Sequence, residues 1–312
     1  MKRSKGFPVN GWLILDKPQG VTSTHALSRV KRLFEARKAG HAGTLDPLAT
    51  GVLPIAFGEA TKTAPYVFDG EKSYLFTVRW GVETNTDDSE GQEVRSSELR
   101  PSRAEIEAVL DQFRGEIMQT PPQFSAIKVS GERAYDLARD GETVELAPRR
   151  ILIRRLEIDG EPGPDACSFL AECGKGAYVR ALARDIGRVL GCLGHVTALR
   201  RTRVGPFTAD DSMTMERLQA LAAPRSSDEE PAEARARLRT TLKPVQAALG
   251  SLPSVAITSS DAGRLRRGQG VIIRGRDAPV ITGPVYVTLK GTLVALGEVS
   301  QGEFKPSRVF TL

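Results

Sequence analysis

The sequence is poor in the residues that build metal centres and disulfide frameworks. It has three cysteines (Cys167, Cys173 and Cys192), with no C-x-x-C pair among them. An odd, scattered set of this kind excludes a disulfide-stapled scaffold and a zinc ribbon. Three histidines (His25, His41 and His195) and no H-E-x-x-H leave no histidine-ligated metal in prospect. No G-x-x-x-x-G-K-[ST] loop is present, and Gly268-Gln-Gly270 is too slight for a dinucleotide site, so no cofactor is expected. No run of 18 apolar residues occurs, and Met1-Lys-Arg-Ser-Lys5 is not followed by an apolar stretch. Neither a membrane span nor a secretory signal is read here, and a cytoplasmic protein is expected.

The 312 residues carry a formal charge of +6, unevenly placed. Residues 1–50 hold nine Lys/Arg against three Asp/Glu, and residues 252–312 hold eight against four. The stretch between them holds 27 against 31. Basic ends around a near-neutral middle suit a polyanion held at two separated places.

The most informative stretch is Lys38 to Lys62, K-A-G-H-A-G-T-L-D-P-L-A-T-G-V-L-P-I-A-F-G-E-A-T-K. Glycines and prolines shape its first half as a loop, and the apolar run Val52–Phe57 reads as a buried strand behind it. Pro47 pushes Asp46 toward an extended backbone, presenting its carboxylate from a stiff corner, with Gly43 and Thr44 leaving room in front.

In the order of the chain, Gly11–Asp16 reads as a strand ending at Lys17-Pro18, followed by a helix with Ser23 as N-cap. Alternation over Lys72–Trp80 puts Tyr74, Phe76, Val78 and Trp80 on one face of a strand. Glu83–Gly91 reads as a solvated acidic loop, and Ser102-Arg-Ala-Glu105 as a capping box. A short helix is expected over Glu132–Asp140, and strands over Ile151–Ile158 and Cys167–Cys173. Gly174-Lys-Gly176 then opens a helix on which Arg184 and Arg188 read as a solvated face, while Arg180 falls in its first turn, where free N–H groups favour anions. Residues 223–240 read as a mobile linker or lengthened loop. Short extended segments after Leu252, with a hairpin about Lys290-Gly291, suggest a small β-barrel.

The stretch G-H-A-G-T-L-D-P-L-A-T-G-V-L-P closely resembles the catalytic motif of the TruB family of tRNA pseudouridine synthases. The likeness continues in order through D-K-P-Q-G (16–20), K-S-Y (72–74), G-A-Y-V-R (176–180) and H-V-T-A-L-R-R (195–201). The resemblance implies an α+β pseudouridine-synthase fold, a mostly antiparallel mixed sheet flanked by helices, with a PUA-like C-terminal barrel. It implies a catalytic domain over 1–250, with a thumb-like insertion at about 124–150, and an RNA-binding module over 251–312. It further implies isomerisation of uridine 55 in the tRNA T-arm, by a monomer without cofactor or metal. Asp46 is then the catalytic carboxylate, Arg180 its partner and Tyr74 the active-site tyrosine. His41 packs where the nucleotide flips, Tyr178 and Leu199 contact it, and Lys17 stands in the substrate-binding set; Asp88 is given a minor role beside the site. Two other readings stand beside it: a guide-RNA-dependent synthase of the same superfamily, and a tRNA-folding factor whose catalysis is secondary.

Overall fold

The computed structural model describes residues 6–125, 128–129, 132–133, 146–273 and 281–312. The first strand, β1 (Gly11–Lys17), is apolar on both faces and lies inside the sheet, and it runs into helix α1 (Ser23–Leu33). Next come β2 (Ala39–His41), the buried β3 (Thr50–Phe57), the short helix α2 (Ala64–Phe68) and β4 (Lys72–Trp80). A small ribbon, β5 (Val82–Thr84) with β6 (Glu93–Ser96), precedes α3 (Arg103–Leu110). The predicted capping box of Ser102 and Glu105 starts α3, with Ile106 and Leu110 buried.

Then follow β7 (Gly115–Gln119), the hairpin β8 (Lys128–Val129) with β9 (Glu132–Arg133), β10 (Arg149–Ile158) and β11 (Ala166–Cys173). Glu132 and Arg133 are thus extended rather than the start of a helix, and the rest of that expected helix lies outside the described residues. Helix α4 (Val179–Val189), β12 (Gly194–Val204), β13 (Phe207–Thr208) and β14 (Met213–Thr214) complete the sheet region.

The main sheet runs β14-β1-β3-β12-β4-β11-β10-β7, with β2 beside β3 and β13 beside β12. Only β1 with β14 and β3 with β12 pair in parallel, so the sheet is mixed and mostly antiparallel. Strand β12 lies at its middle, joined to β3 on one side and β4 on the other. One face packs against α1, α3 and α4 around Leu13, Phe76, Val78, Trp80, Phe169 and Ile186.

Three sequence expectations need correction. The N-cap of α1 is Thr22, whose hydroxyl accepts from His25 N–H, while Ser23 is buried for another purpose. Residues 231–239 of the expected linker form a helix, packed beside Met215–Ala222. Pro231 starts it, three alanines favour it, Leu238 is buried in the main core, and Arg237 donates to the carbonyls of Leu221 and Ala223. The acidic loop is not solvated: Glu83, Asp87 and Asp88 are all buried.

Beyond residue 250, strands β15 (Ser254–Ala256), β16 (Val271–Ile272), β17 (Gly283–Leu289), β18 (Thr292–Ser300) and β19 (Glu303–Val309) form a five-stranded sheet ordered β15-β17-β18-β19-β16. The hairpin turns at Lys290-Gly291 as expected, both residues having positive φ. Among the described residues the strand pairing does not close into a barrel. Leu293, Leu296 and Phe310 join this sheet to the first part of the chain, sharing a core with Trp12, Val67, Val245 and Leu249. Among the described residues no helix is long and apolar enough to cross a membrane.

Candidate active site

A cavity of about 310 Å³ opens between the Asp46 loop, the start of α4 and the middle of the sheet. Asp46, Tyr74, Tyr178, Arg180 and Leu199 line it. Five of the seven residues proposed from the sequence therefore meet in one place, although they span 154 positions from Asp46 to Leu199.

The loop is held from three sides. Ser23 Oγ donates to Leu45 O at 2.9 Å and accepts from Leu45 N–H at 2.8 Å. Gly20 N–H donates to Pro47 O at 2.8 Å. Lys17, wholly buried, donates to the carbonyls of Pro18, Val21 and Pro47. Burial drives its pKa down to about 8, against the pull of Asp46. With its ammonium protons on backbone oxygens and no share in the cavity wall, Lys17 supports the loop rather than reaching substrate.

His41 also stands apart from the cavity wall, at the end of β2 opposite Ile55, its Nδ1 buried without a hydrogen-bond partner among the described residues. Burial first, and the Arg201 charge second, lower its pKa and favour the neutral ring.

Arg180 sits just inside α4, whose N-cap is Tyr178. Its Nη1 donates to Thr86 O at 2.8 Å and its Nη2 to Phe124 O at 2.9 Å. So anchored, its Nε lies 2.9 Å from Asp46 Oδ2, with the N–H not aimed at that oxygen, and its Nη1 lies 3.5 Å from Asp88 Oδ2. Arg180 is 5% exposed along its side chain and Asp46 is 36% exposed, so the carboxylate faces the cavity while its partner is locked behind it.

Of the other two arginines of α4, Arg188 is exposed, as expected of a solvated face, and Arg184 is not. Arg184 is buried and pairs with Asp87 at 2.9 Å, and it donates to Thr120 O at 2.7 Å. Arg188 grips Glu83 through Nε and Nη2 at 2.8 and 2.9 Å. Arginines spaced i, i+4, i+8 share one helical face, and here they meet Asp88, Asp87 and Glu83 in reverse order along the loop. Burial pushes Asp87 up to about 6 in spite of Arg184. Spacing on α4 was the available signal, because whatever faces Arg180 also faces Arg184.

Among the cavity-lining residues that escaped the sequence reading are Phe68, Lys72 and Arg201. Phe68 is an exposed aromatic ring at the wall, with Lys72 Nζ 5.6 Å from its centre. Burial brings Lys72 down to about 8, helped by Arg201. Arg201 is 2% exposed. It donates from Nε to Val52 O at 2.9 Å, from Nη1 to Thr44 O at 3.3 Å and from Nη2 to Gly43 O at 3.1 Å. Gly43 and Thr44 line the cavity beside Asp46, as expected, and the guanidinium borders Gly43, 3.4 Å from where a Cβ would stand. Leu199 was placed at the site, and period-two alternation carries Arg201 to the same face. Burial pushes the Tyr74 phenol up to about 12, with Arg201 pulling the other way.

The chain is similar to known proteins along most of its length. Residues 31–179 match the TruB family pseudouridylate synthase N-terminal domain, and residues 180–250 the tRNA pseudouridylate synthase B C-terminal domain. A tRNA pseudouridine synthase B of Bradyrhizobium diazoefficiens is 58% identical over 304 residues, spanning 97% of this chain and 86% of the relative. That of Brucella ovis is 54% identical over 317 residues, spanning 99% and 98%. Among solved structures, a chain of a Cbf5-Nop10-Gar1 complex is 26% identical with a TM-score of 0.72, covering 96% of this chain and 85% of its own. A chain of an H/ACA RNP bound to substrate RNA containing 2'-deoxyuridine shares the fold at 24% identity and a TM-score of 0.73, covering 100% and 92%. Identity above one half along almost the whole length, on a fold common to pseudouridine synthases, makes this chain an isomerase belonging to the TruB family of pseudouridylate synthases.

Proposed function

We propose that the protein converts uridine 55 in the T-arm of tRNA to pseudouridine, with Asp46 as the catalytic carboxylate. The observation that carries this reading is the placement of Asp46 against the cavity, 2.9 Å from a buried and doubly anchored Arg180. A uridine stacked in a folded loop is out of reach, so it must flip out at a cost of a few kcal/mol. Tyr74, Tyr178 and Leu199 line the room that receives it, and the exposed ring of Phe68 offers a neighbouring base a stacking surface.

In the reaction the N1–C1′ bond breaks with its electron pair going to the base, and the base turns and rebonds to C1′ through C5. C5 then loses a proton and N1 gains one, so nothing is oxidised or reduced. Tyr74 is the side chain proposed to take the C5 proton, and His41 assists flipping from the edge of the loop.

We place the catalytic unit at 1–250 and an RNA-binding, PUA-like unit at 251–312. The excess of eight basic over four acidic residues in 252–312 supports the second. The protein is proposed to act as a cytoplasmic monomer. The tRNA synthase relatives at 54–58% identity, against 26% for the chain of the Cbf5 complex, favour bare tRNA over a guide-RNA assembly as substrate.

Mapping pseudouridine in tRNA from cells with and without the protein, and in an unmodified transcript treated with the purified chain, tests the reading. Asp46→Asn should abolish modification at position 55 in both. Near wild-type turnover by this variant would refute the assignment. Full rescue of a deletion phenotype by the same inactive variant would instead make tRNA folding the cellular role.

A further inference from the structure

Arg201 is a charged side chain, 2% exposed, at the middle of the central sheet. Removing an arginine from water costs several kcal/mol unless its charge is compensated. Among the described residues no Asp or Glu forms an ion pair with it, and its three short hydrogen bonds go to neutral backbone carbonyls. An apolar side chain would fill this position more cheaply. Its neighbours explain why it is an arginine.

On one side, in the β12–β3 pairing, Arg201 stands opposite Gly51, and on the other, in the β12–β4 pairing, opposite Tyr74. Antiparallel partners such as Arg201 and Tyr74 have Cβ atoms about 4.5–5.5 Å apart. The guanidinium reaches back over β3 to the carbonyls of Gly43 and Thr44, three and two residues before Asp46. Gly51 makes this possible: its φ is +98°, and a Cβ there would lie 2.2 Å from Arg201 O. The same charge is felt by Lys17, His41, Lys72, Tyr74 and Cys173, and the Asp46 carboxylate acts on it in turn.

We propose that Arg201 is a positioning residue for the isomerisation: its buried fork fixes the Asp46 loop against Tyr74, and its charge is the cationic neighbour that lets the Tyr74 oxygen accept the C5 proton. The proposal rests on the reading of Asp46 and Tyr74 given above. Burial holds the phenol protonated at rest, so it must release its own proton to solvent before it takes the one from C5. A fixed cation favours the phenolate formed between those two events. Lysine keeps the charge but not the planar fork, and glutamine keeps donors but not the charge.

The test compares wild type, Arg201→Lys, Arg201→Gln and Asp46→Asn. Single-turnover pseudouridine formation on a tRNA transcript is followed from pH 6 to 9, beside tRNA affinity and thermal unfolding. We expect Arg201→Lys to lose about tenfold in rate and Arg201→Gln about a hundredfold or more, each with tRNA Kd within threefold of wild type. In wild type and Arg201→Lys the rate should rise with pH across the whole range without a plateau, as a phenol titrating well above pH 9 requires, and Arg201→Gln should lie below both at every pH. Rates within threefold of wild type in both variants, or a rate loss matched by an equal loss of affinity, would overturn the proposal. So would failure of both variants to fold, which would make the residue a strut. A wild-type protein without activity would instead sink the underlying assignment, which keeps the two failures distinct.

Discussion

The cavity has two walls, each centred on a buried arginine, and they are held in opposite ways. On the helix side Arg180 faces carboxylates, Asp46 and Asp88, and behind it Arg184 and Arg188 continue the pairing with Asp87 and Glu83. On the sheet side Arg201 donates to the backbone carbonyls of Val52, Thr44 and Gly43 and lies beside the Tyr74 phenol. The first wall is a balanced set of charges whose stability depends on every partner being present. The second is a single buried cation seated on backbone carbonyls at the edge of the cavity. The difference separates holding a carboxylate in place from shaping the field in which it works.

The comparison is broken most severely at Arg180. Arg180→Ala removes the group opposite the reacting carboxylate, and turnover should fall on the order of 10²–10³-fold, with tRNA affinity nearly unchanged. Steady-state kcat and KM with a binding assay check this, and a loss confined to affinity would take Arg180 out of the catalytic pair. Arg184→Ala lies one helical turn behind and should act on folding, because it leaves Asp87 buried without its partner. We expect about 3–5 kcal/mol of lost stability, read by denaturant unfolding at pH 7.

Asp87 also gives the helix wall a pH signature. Its folded pKa of about 6 lies above the ordinary carboxylate value of 3.8. The folded state therefore binds more protons than the unfolded state between those values, and this group makes the protein less stable as pH rises from about 4 to 6. Asp87→Asn should abolish that slope, a difference of about 1–3 kcal/mol between the two ends of the window. Unfolding curves at pH 4.5 and 6.5 for both proteins measure it, and parallel pH dependence would refute it.

The smallest contrast lies under the sheet-side wall, between adjacent residues at the start of α1. Thr22→Ala loses a helix cap and should cost about 1 kcal/mol with activity intact. Ser23→Ala leaves the N–H and carbonyl of Leu45 without their partner, and it should lower turnover as well as stability. Equal turnover in the two variants would show that the Asp46 loop does not depend on Ser23.

Local patterns in the sequence carried much of the fold. Alternation predicted β4, the Ser102 box predicted the start of α3, and the Lys290-Gly291 turn predicted the last hairpin. The Asp46, Tyr74, Tyr178, Arg180 and Leu199 set was legible because each member sits in a dense motif. Misreadings arose where charges were judged without their partners. Asp87 and Arg184 are 97 positions apart, and Glu83 and Arg188 are 105. A run such as E-T-N-T-D-D looks the same whether it meets water or a row of arginines. Arg200 and Arg201 show the limit again. Arg200 turns outward to pair with Asp16, and its neighbour, equally charged, fills the middle of the sheet. Composition cannot separate such twins, and only the alternation counted from Leu199 does so.

The helix from Val179 to Val189 works as a ruler. Its marks are four residues apart, and the loop it measures presents acidic notches at matching depth. Deleting a single residue between Arg180 and Arg184 would rotate every later mark by about 100°, taking Arg184 and Arg188 away from their notches together. The spacing along this short segment is therefore as binding on the chain as the identity of the residues that occupy it.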